Sequence, residues 1–372
     1  MNTSPALRRC LTLLLTLLLV DWSAISTLAA PAPRGSTRAI SSKANSKKSK
    51  VRGIPTYLDP TKDDVPEFDD PIVRQAAVAA LGRFNGTVVA VDPNNGRILS
   101  VVNQRLAFSE GFQPCSTFKP VVGLAALDQG IITRDTMIPV ARRRYLNLTE
   151  ALAHSNNQFF EALGKQMGFE TVSRYGKLFG LGEPAGHNIF EEHPGLFPTK
   201  APTYGGVARM SSFGEGIHIT PLQLASIGAT LANGGTVYYL QYPRSDEERR
   251  NFTPLVKRKL EIGAYLPDVR EGMLAAVLYG TGRHAFDPYG EQTLGKTGTC
   301  DDQGSRLGWF VSYSDPVKPR LVVAVLLRGH SRIINGPVAA EVAGRVFTRL
   351  RELNYFAQTA ASSTAALPTP LR

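Results

Sequence analysis

A serine and a lysine stand one helical turn apart in segment 114–120, whose sequence is PCSTFKP. A neutral alcohol is a poor nucleophile near pH 7 and needs an adjacent base. If Ser116 begins a helix, Lys119 faces the same side, and a partly desolvated lysine can accept the serine proton. The pattern predicts a nucleophile and its base. On its own it is weak, because a chain of this length contains about one Ser-x-x-Lys by chance.

Segment 155–157 is a Ser-x-Asn motif (SNN). The hydroxyl of Ser155 could relay a proton to a leaving group, and the amide of Asn157 could hold a substrate carbonyl. In isolation, the same residues are typical of a helix cap or a loop.

Segment 296–299 has the sequence KTGT. On a strand edge, Lys296 would attract a carboxylate, and the hydroxyls of Thr297 and Thr299 could bind it. Gly298 would let a substrate backbone approach without a Cβ in the way. An ordinary strand with a bend explains the tetrapeptide equally well.

The order Ser-x-x-Lys, Ser-x-Asn, Lys-Thr-Gly resembles the signature set of penicillin-binding proteins and serine β-lactamases. Further segments are similar to penicillin-binding transpeptidase domains: FGEG at 213–216, ITPLQLA at 219–225, GTG at 280–282 and GWF at 308–310. The resemblance covers residues 85–353, most of the chain.

The resemblance implies that Ser116 attacks a D-Ala-D-Ala peptide carbonyl, or a β-lactam carbonyl, and forms an acyl-enzyme. Lys119 would act as the general base. Ser155 and Lys296 would assist proton transfer to the leaving amine, and Asn157 would orient the donor amide. The expected substrates are peptidoglycan stem peptides, with β-lactams as covalent inhibitors.

In the same family, the oxyanion hole corresponds to the backbone N–H groups of Ser116 and Thr299. Thr297, Gly298 and Thr299 would bind substrate. The resemblance implies neither a metal nor an organic cofactor. His154, His187, His193 and His218 lack the spacing of a metal site.

Cys115 precedes the nucleophile and Cys300 follows the KTGT motif. In the family fold these segments face each other across the active site. The arrangement is similar to the disulfide beside the catalytic serine of some carbapenem-hydrolysing class A β-lactamases. A Cys115–Cys300 bridge is therefore predicted, the alternative being two small buried thiols.

Three functions remain open: a D,D-transpeptidase or D,D-carboxypeptidase, a β-lactamase, or a non-catalytic β-lactam sensor. The TPLQLA stretch and the asparagine of the second motif favour the first. Class A lactamases activate water with a glutamate in an E-x-x-L-N pattern, and Glu183, Glu191 and Glu192 stand in other contexts. The cysteine pair favours a lactamase-like site.

Residues 1–30 have the layout of a signal peptide, with an uncleaved membrane anchor as the alternative. Residues 31–52 carry seven basic and no acidic residues out of a formal net charge of +11. Segment 31–56 is predicted to be a basic disordered linker, either simply solvated or attracted to anionic wall polymer or a membrane surface. Export to the periplasm or the outer face of the cytoplasmic membrane argues against nucleic acid as a partner.

Periodicity predicts a helix over 71–84, strands over 86–92, 97–103, 307–313 and 321–328, and a helix over 337–353. Between them, patterns are mostly helical, including a capped helix that begins at Thr220 and ends at 233–235. Tyr145, Phe159 and Phe160 are interpreted as core residues.

This order predicts a mixed α/β (α+β) fold. An antiparallel sheet from both chain ends would be flanked by N- and C-terminal helices, with a large all-helical subdomain inserted. The transpeptidase-like domain would span 57–356 and a disordered tail 357–372.

Overall fold

The structure, a computed structural model, describes residues 53–357. The predicted leader 1–30, the basic segment 31–52 and the tail from 358 lie outside the described residues. The last residues of the predicted linker already pack on the domain: Thr56 is buried, and its carbonyl accepts from Asn85 N at 2.9 Å. Every helix within 53–357 falls short of the length and apolarity needed to cross a membrane.

Nine strands are present in this part of the chain. They are β1 (Gly86–Val91), β2 (Ile98–Val102), β3 (Ile138–Ala141), β4 (Arg144–Leu146), β5 (Thr236–Tyr238), β6 (Val256–Lys259), β7 (Thr293–Asp302), β8 (Ser305–Ser314) and β9 (Val322–Gly329). Five of them form an antiparallel sheet in the order β2-β1-β9-β8-β7, so β7 is an edge strand.

The α-helices within 53–357 are α1 (Pro71–Leu81), α2 (Gln104–Ala107), α3 (Lys119–Asp128), α4 (Leu148–Ala153), α5 (Asn157–Leu178, interrupted at Gly168), α6 (Gly206–Phe213), α7 (Pro221–Asn233), α8 (Asp246–Arg250), α9 (Leu266–Leu278) and α10 (Gly336–Glu352). Two 3₁₀ turns, Cys115–Phe118 and Arg283–Ala285, complete the set.

The sheet separates two apolar cores because successive side chains of a strand point to opposite faces. On β1, Val88 and Ala90 join the core that α1 and α10 cover, whereas Val89 and Val91 join the core beneath α3 and α7. Both faces are therefore buried, as the nearly uninterrupted apolar sequences of β1 and β9 indicate.

The predicted fold is confirmed: strands from both chain ends form one sheet, flanked by α1 and α10, and the inserted region is mainly helical. One detail is wrong. The insert is not all-helical, since it carries two small antiparallel ribbons, β3–β4 and β5–β6. Their strands have only three or four residues, too few to show an alternating pattern in the sequence.

Helix α7 begins as predicted. Thr220 Oγ1 accepts from Gln223 N at 3.1 Å, and Gln223 Oε1 accepts from Thr220 N at 2.8 Å, a reciprocal capping box. The helix ends at Gly234, which adopts a left-handed φ of 98° that costs a glycine little. Between these two caps, helix α7 packs against β1, β8 and β9.

Candidate active site

Ser116 lies in the 3₁₀ turn that leads into α3 and is 8% exposed. Two hydrogen bonds to Pro114 O close the turn, from Thr117 N at 3.2 Å and Thr117 Oγ1 at 2.7 Å. Cys115 has a left-handed φ of 52°, an unfavourable conformation for a residue with a Cβ. Strain of this kind concentrates at functional sites, where the surrounding structure enforces it.

Lys119 is the first residue of α3 and is fully buried. Its Nζ donates to Ser155 O at 2.6 Å, to Asn157 Oδ1 at 2.7 Å and to Ser155 Oγ at 3.2 Å. Burial holds the pKa of Lys119 well below its usual range, the charge of Lys296 lowers it further, and Glu161 opposes both effects. A lowered pKa favours the neutral amine, which is the form that a general base requires.

The second motif is both a cap and a part of the site. Asn156 caps α5, since its Oδ1 accepts from Phe159 N at 2.9 Å. Ser155, just before it, turns the chain with a left-handed φ of 54°. As a result Ser155 and Asn157, on either side of the cap, both contact Lys119.

Lys296 is fully buried on β7, and its Nζ donates to Ser155 Oγ at 2.8 Å and to Thr297 O at 3.0 Å. Burial lowers the pKa of Lys296 to about 7. Because Lys119 Nζ is 3.2 Å from the same oxygen, the two nitrogens are at most 6.0 Å apart, the sum of 3.2 and 2.8 Å. Two charges at this spacing repel, which favours a neutral form of one lysine.

The hydroxyls of the third motif have partners within the protein. Thr297 Oγ1 lies 2.6 Å from Thr281 Oγ1, and Thr299 Oγ1 accepts from Gly336 N at 2.8 Å. A hydroxyl that accepts one bond can still donate its own proton. The Thr299 hydroxyl thus keeps a donor available at the edge of the sheet.

The packing around Gly298 gives a reason for a glycine at this position in addition to the one that the sequence suggested. A Cβ at this position would lie 2.9 Å from Pro114 O and 3.1 Å from Thr117 Cγ2. The missing side chain therefore lets β7 pack directly against the 3₁₀ turn Cys115–Phe118, which is named the nucleophile turn after the predicted role of Ser116. Substrate approach at Gly298 stays a prediction.

The structure pairs Cys115 with Cys300, whose Cα atoms are 5.7 Å apart, a usual separation for a disulfide. The two residues are 185 positions apart in sequence. Close by, Trp309 Nε1 donates to Gln113 O at 2.9 Å, so β8 also holds this segment. The nucleophile turn is thus attached to the sheet by backbone packing, an indole hydrogen bond and a cysteine pair.

Two residues near Lys119, Phe160 and Glu161, were not assigned a catalytic role from the sequence. The Phe160 ring centroid lies 5.4 Å from Lys119 Nζ, and the ring is buried as predicted. Glu161, whose Oε1 accepts from Ser212 Oγ at 3.4 Å, acts electrostatically on Lys119. The spacing in the sequence could have indicated Glu161, since this residue follows Asn157 by one helical turn.

The prediction that Tyr145 is a core residue is wrong, because Tyr145 is 56% exposed on β4.

The glutamates considered as lactamase bases have other partners. Glu192 is buried and accepts from Gly186 N at 2.6 Å, Ala185 N at 3.1 Å and Thr220 Oγ1 at 3.1 Å. Glu183 forms ion pairs with Lys257 and Arg258, and Glu191 forms one with Arg244. All three carboxylates hold loop structure in place.

The site combines a serine in a strained turn, two buried lysines that share a second serine, and an edge strand carrying KTGT, which is the set of groups expected of an active-site serine enzyme. A family model for the penicillin binding protein transpeptidase domain matches residues 86–348. The chain therefore belongs to the penicillin-binding protein transpeptidase domain family.

Two curated relatives illustrate the likeness. Stage V sporulation protein D of Bacillus subtilis is 28% identical over 310 residues, covering 69% of this chain and 48% of the relative. Peptidoglycan D,D-transpeptidase FtsI of Escherichia coli K12 is 26% identical over 310 residues, covering 73% of this chain and 52% of the relative. The chain thus spans about half the length of the curated relatives it matches.

Solved structures show the same fold. The transpeptidase domain of Burkholderia pseudomallei penicillin-binding protein 3 superposes with a TM-score of 0.66 at 23% identity, covering 81% of this chain and 98% of the other. A peptidoglycan glycosyltransferase from Burkholderia ambifaria gives a TM-score of 0.67 at 23% identity, covering 77% and 97%.

Proposed function

We propose that this chain is a penicillin-binding D,D-transpeptidase or D,D-carboxypeptidase that acts on peptidoglycan stem peptides and is acylated by β-lactams. One observation carries the proposal: the buried lysines Lys119 and Lys296 both donate hydrogen bonds to the hydroxyl of Ser155, beside the nucleophile turn. Such a pair supplies one neutral amine and one proton donor at neutral pH.

In the acylation step, neutral Lys119 takes the proton of Ser116 while the serine oxygen attacks the carbonyl of the substrate. Negative charge develops on the carbonyl oxygen. The backbone N–H groups of Ser116 and Thr299 are the proposed donors to it, and one such donor typically supplies about 3–4 kcal/mol of transition-state stabilisation. The direct packing of Gly298 on the nucleophile turn supports this assignment.

Collapse of the intermediate needs a proton on the leaving amine. Ser155 Oγ accepts from both lysines, which leaves its own hydrogen free to be donated. The hydroxyl would give this hydrogen to the leaving nitrogen and regain one from Lys296 or Lys119. Ser155 is therefore the proposed relay between the two lysines and the leaving group.

Substrate binding uses the free edge of β7, where a peptide can align as an additional strand. The Thr297 and Thr299 hydroxyls lie on this strand, and the side-chain nitrogen of Asn157 is the proposed donor to the substrate amide. The oxygen of that side chain accepts from Lys119, which fixes its orientation.

A β-lactamase is the second candidate, because the cysteine pair beside Ser116 favours it. Fast hydrolysis of the acyl-enzyme would require a base for the attacking water. The partners of Glu183, Glu191 and Glu192 support a slow deacylation instead. A sensor, the third candidate, would be acylated without turning over a peptide.

Export is part of the proposal. The leader at 1–30, as signal peptide or anchor, would place the domain in the periplasm or at the outer face of the cytoplasmic membrane. Segment 31–52 would serve as a basic tether, attracted to anionic polymer or lipid, with the catalytic domain over about 57–356.

The test is to treat the protein with a labelled penicillin and follow the adduct. A stable adduct on the native chain supports the proposal, whereas release within seconds identifies a lactamase. Turnover of a D-Ala-D-Ala peptide separates an enzyme from a sensor. Ser116→Ala should lose the adduct and Ser109→Ala, outside the three motifs, should keep it; an adduct on Ser116→Ala would overturn the assignment.

A further inference from the structure

The hairpin β3–β4 ends in three consecutive arginines, Arg142, Arg143 and Arg144, all of them exposed. Ala141 pairs with Arg144, so Arg142 and Arg143 form the two-residue turn. Among residues 53–357, no hydrogen bond or ion pair engages any of these three guanidinium groups. Arg134, on the approach to β3, contrasts with them because it pairs with Asp268 at 3.9 Å and with Glu271.

The turn itself is unfavourable for an arginine. Arg143 has a left-handed φ of 60°, where glycine or asparagine is usual in a two-residue hairpin. A strained position occupied by an unpartnered charge indicates a surface role.

The hairpin is close to the active site along the chain. Strand β4 leads through Asn147 into α4, and α4 ends two residues before Ser155. With strand and helix rises and extended links between the elements, the path from Arg143 to Ser155 is at most about 32 Å. The base of the hairpin is fixed, since Ile138 and Leu146 are buried in the main core. The hairpin is therefore anchored to the same core as α3 and α5, the helices that begin at Lys119 and Asn157.

We propose that the tip, Arg142–Arg144, is a docking surface for carboxylate groups of the peptidoglycan strand that lie outside the reacting peptide. The inference rests on the proposed function, since it extends the substrate contact beyond the site around Ser116. Guanidinium groups bind carboxylates in a planar, two-point geometry. The polymer is favoured over an anionic membrane because the proposed function already brings this domain to peptidoglycan, whose carboxylates match the guanidinium groups in charge and geometry.

The experiment measures co-sedimentation of the full chain with purified insoluble peptidoglycan in a mild nonionic detergent. The test variant is Arg142→Gln/Arg143→Gln/Arg144→Gln. A matched control, Arg83→Gln/Lys165→Gln/Arg332→Gln, removes the same charge from exposed positions elsewhere. The basic segment 31–52 is present in every variant and contributes equally.

The test variant should bind peptidoglycan about fivefold more weakly than the native chain, as expected for loss of three exposed ionic contacts, and the control less than twofold more weakly. Amidation of the peptidoglycan carboxylates should abolish the difference between the native chain and the test variant. The labelled-penicillin adduct should be unchanged in all variants, which separates this proposal from the assignment of Ser116.

Equal binding by the test variant and the native chain would overturn the docking surface. So would a difference that persists on amidated peptidoglycan. A last measurement compares the native chain and the test variant for binding to mixed micelles of the detergent with anionic phospholipid. If the test variant binds these micelles more weakly than the native chain but binds peptidoglycan equally well, the tip is a membrane contact instead.

Discussion

The side-chain nitrogens of Lys119 and Lys296 share one acceptor, Ser155 Oγ, at 3.2 and 2.8 Å. Both side chains are fully buried. Two amines this close titrate as a pair, so that protonation of one lowers the pKa of the other. Under the proposed function, the same residue type would supply both the base and the acid, and the pH dependence of the site would follow from the burial of the two lysines.

Replacing Lys296 by methionine should stabilise the protein. In the folded state its pKa is about 7, below the usual value near 10.4, so the unfolded chain binds a proton that the native state does not. The native state is therefore penalised fully at and below pH 7, and the penalty vanishes as pH rises towards 10.4. Lys296→Met should gain about 1–3 kcal/mol at pH 7 and little near pH 10.

Urea unfolding at pH 7 and pH 9.5 measures this gain. Lys165→Met, on the exposed surface of α5, is the matched control and should change stability by less than about 0.5 kcal/mol. A loss of stability at pH 7 for Lys296→Met would show that the hydrogen bonds of this lysine outweigh its desolvation.

Glu161→Gln should move the pH profile of acylation. The carboxylate raises the pKa of Lys119 against burial and against Lys296, so its removal lowers that pKa. Because Lys119 must be neutral to accept the Ser116 proton, the acidic limb should shift to lower pH. The maximal rate should fall, since the amine becomes a weaker base.

The rate of acylation by a chromogenic β-lactam, measured from pH 4 to pH 9, gives this profile. Glu150→Gln removes a carboxylate on α4 that bonds Tyr279 OH at 2.6 Å, and it should leave the acidic limb in place. Ser212→Ala keeps the Glu161 charge but removes its hydrogen bond. If Ser212→Ala and Glu161→Gln have the same effect, Glu161 is only a packing residue.

The cysteine pair should be a disulfide in the oxidised protein. Thiol titration under denaturing, non-reducing conditions should detect at most one thiol, Cys10, and none when the leader is removed. Because the bond closes a loop of 185 residues, Cys115→Ala/Cys300→Ala should lose about 2–5 kcal/mol of stability. Two thiols beyond Cys10 would contradict the prediction.

Gly298→Ala should destabilise the protein by about 1–3 kcal/mol and slow acylation at least tenfold, because the added methyl displaces the nucleophile turn. Thermal unfolding and penicillin acylation test both effects. Gly263→Ala, whose Cβ would meet nothing within 4 Å, should be nearly neutral. An unchanged stability with weaker peptide binding would instead support the substrate-approach explanation.

Elements with a strong pattern were predictable from the sequence. The apolar strands β1, β2, β8 and β9, the helices α1 and α10, and the capping box at Thr220 lie where periodicity placed them, within a few residues. The short ribbons were missed, because three or four residues carry no periodic signal. Tyr145 was misplaced since exposure at a hairpin depends on neighbours that are distant in sequence.

The sequence by itself determined which residues carry the chemistry, because Ser116, Lys119 and Lys296 occur in motifs whose order is specific even though each motif is not. Tertiary structure alone decided how they act. Lys119 and Lys296, which lie 36 and 141 residues from Ser155 in the sequence, meet at one oxygen, and their burial there lowers the pKa of both. Spacing along a chain cannot encode that, since desolvation and repulsion depend on distances that only the folded protein sets.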